Sequence, residues 1–110
     1  MRLFVNINSI DLYYSDVIIN KGVESVDVKA LSYDTHIHDY KEALFSLPNI
    51  ELKENKGFDD ITIDYIKEIL KGTQESIFQS ARNHTGRSIT EKDFIKVGDK
   101  RILLKGDYDG

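Results

Sequence analysis

The sequence predicts an α+β fold: a mainly antiparallel sheet of about five strands with two helices packed on one face. Two patterns favour this class. Apolar and polar residues alternate along residues 2–31 and again near residue 100, which is the period of half-buried strands. Apolar residues recur every three or four positions in residues 37–47 and 60–83, which is the period of helices on a core. The predicted order is β-β-(β)-α-β-α-β-β.

Residues 2–31 are predicted to form two or three antiparallel strands. Asn8-Ser9 and Asn20-Lys21-Gly22 are turn signals between them, and Gly22 is expected to take a positive φ in a hairpin turn. The apolar residues that alternate along these strands are Leu3, Val5, Ile7, Ile10, Leu12, Tyr14, Val26, Val28 and Ala30.

The first helix is predicted over residues 37–47. Its apolar residues lie at i, i+3, i+7 and i+10, on one helical face: Ile37, Tyr40, Leu44 and Leu47. Asp34 or Thr35 can cap its start. Pro48 ends it, because a proline pushes the preceding residue out of the α region. A short strand is predicted to follow around residues 50–52.

The second helix is predicted from about residue 60 to about residue 83. Asp59 is a good N-cap, and Phe58 can pack on Ile63 as a hydrophobic staple. Gly72 lies inside the helix, where a glycine costs about 1 kcal/mol relative to alanine. Either the helix breaks there or a neighbour packs too closely for a side chain. The stripe that faces the core consists of Ile63, Ile66, Leu70, Ile77 and Ala81.

A C-terminal hairpin is predicted from two apolar segments, residues 94–97 and 100–104, on either side of Gly98-Asp99. A glycine in the first position of a two-residue turn fits type II′. This register places Ile95 opposite Ile102.

The composition is that of one globular domain, predicted over residues 1–110 with residues 106–110 as a mobile tail. Of the 110 residues, 40% are hydrophobic and 31% are charged, which allows a single core. With no cysteine, the chain offers no disulfide and no thiolate metal site.

The net charge of −4 argues against nucleic-acid binding, which needs a basic face. Neither a signal peptide nor a membrane-spanning stretch is recognisable, so we expect a cytoplasmic protein.

The string Asp34-Thr35-His36-Ile37-His38-Asp39 offers a candidate metal site. Two histidines at i and i+2, with an aspartate two residues before them, are common among metal ligands. On a strand, His36 and His38 would point to the same side, but in the first turn of a helix they lie about 200° apart. The predicted helix therefore favours exposed imidazoles, and His84 is the one further histidine that could complete a site.

The segment that follows the long helix, residues 82–88, is a candidate binding loop. Arg82, Asn83, His84 and Arg87 supply donors that can hold a phosphate or a carboxylate. A helix C-terminus disfavours anions, however, because its dipole is negative there. Since binding residues concentrate on loops, these four residues are still predicted to contact a partner.

Tyrosine stands beside aspartate at four places in the chain, which indicates an acidic, tyrosine-bearing protein interface. Tyrosine is enriched at binding hot spots, and carboxylates steer a basic partner. We therefore predict that Tyr33, Asp34, Asp39 and Tyr108 contact a partner; the alternative is that such tyrosines belong to the core, as the helical stripe through Tyr40 suggests. The four places are Tyr33-Asp34, Asp39-Tyr40, Asp64-Tyr65 and Asp107-Tyr108-Asp109.

No catalytic motif is present: the chain has neither a nucleophile elbow nor a glycine-rich phosphate loop. We predict a small non-enzymatic protein-binding module without a cofactor, such as an inhibitor of the immunity or phage counter-defence kind that occludes a basic partner surface. One alternative is a small metal- or anion-binding enzyme or ligand-binding domain that uses His36, His38, His84 and residues 82–88. Another is a subunit of a phage or bacterial assembly.

Overall fold

The computed structural model describes residues 1–83 and the backbone of residues 94–97 and 100–103. This part of the chain contains eight strands and one α-helix. In chain order they are β1 (Arg2–Ile7), β2 (Ile10–Tyr14), β3 (Ile18–Asn20), β4 (Val23–Asp34), β5 (Asp39–Leu47), β6 (Glu51–Lys56), α1 (Asp60–Asn83), β7 (Phe94–Val97) and β8 (Lys100–Leu103).

Six of these strands form one antiparallel sheet around β4, the longest strand. Five lie in the order β1-β2-β4-β5-β6. One edge of β4 pairs with β5 over nine residues, from the Val26–Leu47 pair to the Asp34–Asp39 pair. The other edge of β4 pairs with β3 through residues 23–25 and with β2 through residues 28–31. β7 and β8 form a separate antiparallel pair, and β8 lies against β5.

The main core lies between α1 and one face of the sheet. The register aligns inward side chains across strands, so that Leu12, Ala30 and Ala43 lie side by side in β2, β4 and β5. Alternate residues of these strands point to the same face, which is why the apolar alternation of the sequence produces one continuous surface for α1. The buried members of this core are Ile10, Leu12, Tyr14, Val26, Val28, Ala30, Ala43, Phe45, Leu47, Phe58, Ile63, Ile66, Leu70, Ile77, Phe78 and Ala81.

The opposite face of the sheet carries a second, smaller apolar cluster. Tyr13, Leu31 and Tyr40 form it, and Met1 and Leu3 pack against it. Tyr13 and Leu31 are each 1% exposed, so this face is covered as well. All five residues of β2 are therefore buried, whereas its alternation predicted a half-buried strand.

The predicted helix over residues 37–47 is wrong, and the described part of the chain has one helix rather than two. Residues Asp39–Leu47 form β5, a strand in the middle of the sheet. The cause is burial on both faces: Tyr40 joins the smaller cluster, whereas Phe45 and Leu47 join the main core. Because apolar residues on both faces of β5 are buried, their combined spacing along the sequence resembles that of a helix.

The residues that were predicted to cap and to end the first helix have other roles in the structure. Asp34 and Thr35 cap no helix; residues 35–38 are the turn of the β4–β5 hairpin. Pro48 ends a strand and lies in the turn between β5 and β6. The strand predicted near residues 50–52 is present as β6.

The long helix agrees with its prediction in extent, cap and buried face. α1 spans Asp60–Asn83. The Asp59 carboxylate accepts a hydrogen bond from the Thr62 backbone N–H at 2.8 Å, and Phe58 belongs to the same core cluster as Ile63. Both explanations offered for Gly72 are wrong, because the helix continues through this residue and no atom lies within 4 Å of where a Cβ would stand.

Both predicted hairpins are present. Gly22 has a φ of 79°, and Asn20 pairs with Val23 across the turn between β3 and β4. Ile95 pairs with Ile102 as the C-terminal pattern requires. Residues 2–31 nevertheless contain four strands rather than two or three, since residues 18–20 form a strand of their own. The type of the Gly98-Asp99 turn and the tail of residues 106–110 lie outside the described residues.

Gly72→Ala is expected to stabilise the protein by about 0.5–1 kcal/mol. Alanine has the higher helix propensity, it restricts the unfolded chain more, and its methyl group meets no neighbour. Urea denaturation followed by circular dichroism measures the change. An unchanged or lower free energy of unfolding would mean that the glycine has a packing role that the structure does not show.

The N-cap makes stability depend on pH. Hydrogen bonds from the Thr62 hydroxyl and backbone N–H hold the pKa of Asp59 below its usual value. A carboxylate with a lowered pKa in the folded state stabilises the fold above its unfolded pKa, and this stabilisation is lost as the pH falls through the folded pKa. Asp59→Ala should therefore lower the thermal midpoint at pH 7, and the gap from the wild type should narrow below about pH 4.

The control for the cap is Asp59→Asn, which keeps an acceptor for the Thr62 N–H but cannot ionise. It should retain more stability than Asp59→Ala at pH 7. Equal midpoints for the two variants and the wild type across the pH range would show that Asp59 contributes nothing as a cap.

Candidate functional site

The tip of the β4–β5 hairpin brings together three of the residues predicted to contact a partner. Tyr33, Asp34 and Asp39 lie beside the turn, and Asp34 pairs with Asp39 as the last pair of the two strands. The Tyr33 ring packs edge-on against the Tyr40 ring with 5.3 Å between centroids. Tyr33 is 37% exposed whereas Tyr40 is buried, so Tyr33 is the tyrosine of this pair that a partner can reach.

The acidic groups at this tip face lysines. The Asp34 Oδ2 lies 3.8 Å from the Lys41 Nζ, and the Asp39 Oδ2 lies 3.3 Å from the Lys56 Nζ. The other oxygen of Asp34 accepts a hydrogen bond from the His36 backbone N–H at 2.8 Å. Because both carboxylates have a nearby cation, the tip is not a strongly negative surface, and the predicted attraction for a basic partner is weakened there.

The two histidines of the tip are exposed residues of the turn. His38 has a φ of 52°, in the left-handed region, and His36 follows the Asp34 carboxylate that anchors the turn. Among the residues that the structure describes, no three histidine, cysteine or acidic side chains form a group able to hold a metal ion. His84, which could complete a three-histidine site, lies outside the described residues.

Arg82 lies at the other end of β4. Its guanidinium donates to both carboxylate oxygens of Glu24, with donor–acceptor distances of 3.2 and 3.3 Å, and lies 5.4 Å from the centre of the Phe78 ring. The Glu24 carboxylate raises the pKa of Arg82. Arg82 is thus already paired with a carboxylate, and its positive charge at the C-terminus of α1 is favoured by the helix dipole.

The structure therefore separates the two predicted binding regions. Glu24 and Asp34 are ten residues apart on one strand, which corresponds to about 33 Å. Arg82 and the exposed Asn83 lie near the first of these residues, and the hairpin tip lies at the second. His84, Arg87 and Tyr108 lie outside the described residues.

A third surface was missed by the sequence analysis except for its Asp64-Tyr65 pair. It is the solvent side of the first half of α1, here called the α1 outer face, and it consists of Asp60, Ile61, Asp64, Tyr65 and Glu68. Ile61 is 81% exposed and Tyr65 is 39% exposed. Two apolar side chains, Ile61 and Tyr65, lie on the side of the helix opposite the buried stripe, and this pattern could have identified the face from the sequence.

The charges of the α1 outer face differ from those of the hairpin tip. In residues 1–83, no lysine or arginine nitrogen lies within 4 Å of the Asp60 or Asp64 carboxylate. Glu68 is paired with Lys71, one turn further along, at 3.5 Å. The Tyr65 hydroxyl accepts a hydrogen bond from the Asn8 side-chain amide, which holds the ring against the β1–β2 turn.

Comparison with known proteins finds no family model, no curated protein and no solved structure that matches the chain. Within the residues that the structure describes, no helix has the length and apolarity needed to cross a bilayer.

Proposed function

We propose that the chain is a non-enzymatic protein-binding module, and that its α1 outer face contacts a partner with a basic surface. The observation that carries this proposal is the exposure of Ile61, at 81%, between carboxylates on a regular helix. A large aliphatic side chain in this position has no partner inside the described fold.

The apolar residues of this face would supply the affinity. Burial of an exposed isoleucine is worth about 1.5–3 kcal/mol, and tyrosine is among the residues enriched at binding hot spots. Tyr65 is already held by Asn8, so that less side-chain freedom would be lost on association. The two side chains are four residues apart and therefore lie on the same side of the helix.

The acidic residues would determine which kind of partner binds. Asp60 and Asp64 flank Ile61. Among residues 1–83, no lysine or arginine nitrogen lies within 4 Å of either carboxylate, although Lys67 lies one turn from Asp64, and the full chain carries a net charge of −4. Negative potential of this kind accelerates the approach of a positively charged surface and discriminates against acidic ones. A basic protein surface matches both the charge and the apolar centre of this face.

The biological role that we favour is that of an inhibitor, of the immunity or phage counter-defence kind, which occludes a surface of its partner. Such a protein needs a rigid recognition surface and no reacting groups, which agrees with the absence of a catalytic motif from the sequence. The alternative of a metal- or anion-binding site made from both the histidine turn and Arg82 receives no support, because these regions lie about 33 Å apart.

Site-specific photocrosslinking tests the proposal. A benzoylphenylalanine at position 61 should crosslink a protein in the source cells, and the captured partner is then purified for titration. Tyr65→Ala should weaken its binding about 10-fold or more, because loss of a hot-spot side chain costs at least about 1.4 kcal/mol. Asp64→Asn should slow association and reduce its salt dependence.

Matched controls distinguish this face from the rest of the surface. Ile19→Ala removes another exposed isoleucine, 70% exposed, and Glu51→Gln removes another exposed charge; neither should change affinity. A partner that binds equally well to Ile61→Ala, Tyr65→Ala and the wild type would refute the α1 outer face as the contact.

A further inference from the structure

Gly72 lies near the midpoint of α1, at an exposed position where the helix continues on both sides. A glycine in a helix is less favourable than an alanine, because it leaves the unfolded chain more freedom. In the part of the chain that the structure describes, no atom lies within 4 Å of where a Cβ would stand. This part of the fold therefore makes no use of the space that the missing side chain leaves.

The direction of Gly72 relates it to the α1 outer face. Successive residues of an α-helix are rotated by about 100° around the axis. Gly72 comes eleven residues after Ile61 and seven after Tyr65, so the three positions lie within about 40° of one another. The two exposed apolar side chains and the glycine thus form one line on the solvent side of α1.

A single protein interface of ordinary size can cover this line. Each partner in a standard interface buries about 800 Å², which corresponds to a patch roughly 30 Å across. Gly72 lies about 16 Å beyond Ile61 along the helix axis. A protein that binds Ile61 and Tyr65 therefore reaches Gly72 without an unusually large interface.

We propose that the basic partner of the α1 outer face lies directly against the helix backbone at Gly72. This inference rests on the proposed function and extends it, because it assigns the place where the two proteins approach most closely. The distance between packed elements is set by the side chains at their contact, and glycine allows another backbone to come nearest. The space above Gly72 would then be filled by the partner.

The charges on either side of this glycine suit the same basic partner. Glu68 and Glu75 lie about one turn before it and one turn after it, and both are exposed. The neighbouring cations already have carboxylate partners: Lys71 lies 3.5 Å from Glu68, and Arg82 lies 3.2 Å from Glu24. Glu75 therefore adds a negative charge to this side of the helix, as a positively charged surface requires.

Substitution of Gly72 distinguishes an effect on binding from an effect on folding. The probe is the purified partner captured through position 61, titrated by isothermal calorimetry. Gly72→Ala should weaken its binding about 5-fold or more, because an extra methyl group overfills a close contact. Gly72→Leu should weaken binding further. In the free chain Gly72→Ala should have the opposite sign and raise the free energy of unfolding, since alanine favours the helix.

Glu54→Leu is the matched control for the added bulk. Glu54 is exposed and pairs with Leu44, on the side of β5 that carries Tyr40 and faces away from α1. This variant should bind the partner with unchanged affinity. Circular dichroism verifies that each variant is folded.

The outcomes separate this inference from the proposed function. If Tyr65→Ala weakens binding but Gly72→Leu does not, the partner contacts the α1 outer face without approaching Gly72, and this inference alone fails. If position 61 captures no protein, or if neither substitution changes the affinity, the proposed function fails together with it. Capture of a second copy of this chain would also refute the basic partner.

Discussion

The nine-residue antiparallel pairing of β4 with β5 is the constraint on which the other described elements depend. It aligns two apolar faces at once, because Val28 and Phe45 point towards α1 while Tyr33 and Tyr40 point to the other side. With one edge of β4 occupied by β5, the strands β2 and β3 must share the other edge. The edge of β5 that remains is taken by β6.

The length of this hairpin also distributes the polar residues. One end of β4 is its turn, where lysines approach the carboxylates of Asp34 and Asp39. The other end is tied to the last turn of α1 by the pairing of Glu24 with Arg82. Residues that seemed to belong to one functional region are thus held apart by a rigid strand, and each end has its own electrostatic environment.

The second half of the described chain was more predictable than the first. α1 has an N-cap at Asp59 and one apolar stripe, both set by residues within a few turns of each other, so its local pattern and its structure agree. The segment that became β5 has no such local determinant. Its spacing fits a helix through Tyr40 and Leu44, but Phe45 and Ala43 fit a strand, and pairing with β4 decided between them.

The candidate surfaces also combine features that could be read from the sequence with features that appear only in the folded chain. Asp34 and Asp39 were recognised from the tyrosines beside them in the sequence, but their lysine partners come from β5 and β6 and appear only when the strands are in register. Ile61 lies opposite the predicted buried stripe, so its side of the helix could be read from the sequence, but its 81% exposure depends on whether another part of the fold covers that side.

By itself, the sequence determined the long helix, its cap, the hairpin turn at Gly22 and the pairing of β7 with β8, since each depends on short-range geometry. Only the tertiary structure decided the state of residues 39–47, the separation of Arg82 from the hairpin tip, and the exposure of Ile19 and Ile61. These features depend on contacts between residues distant in the chain, whose energies exceed the local preferences of any one segment.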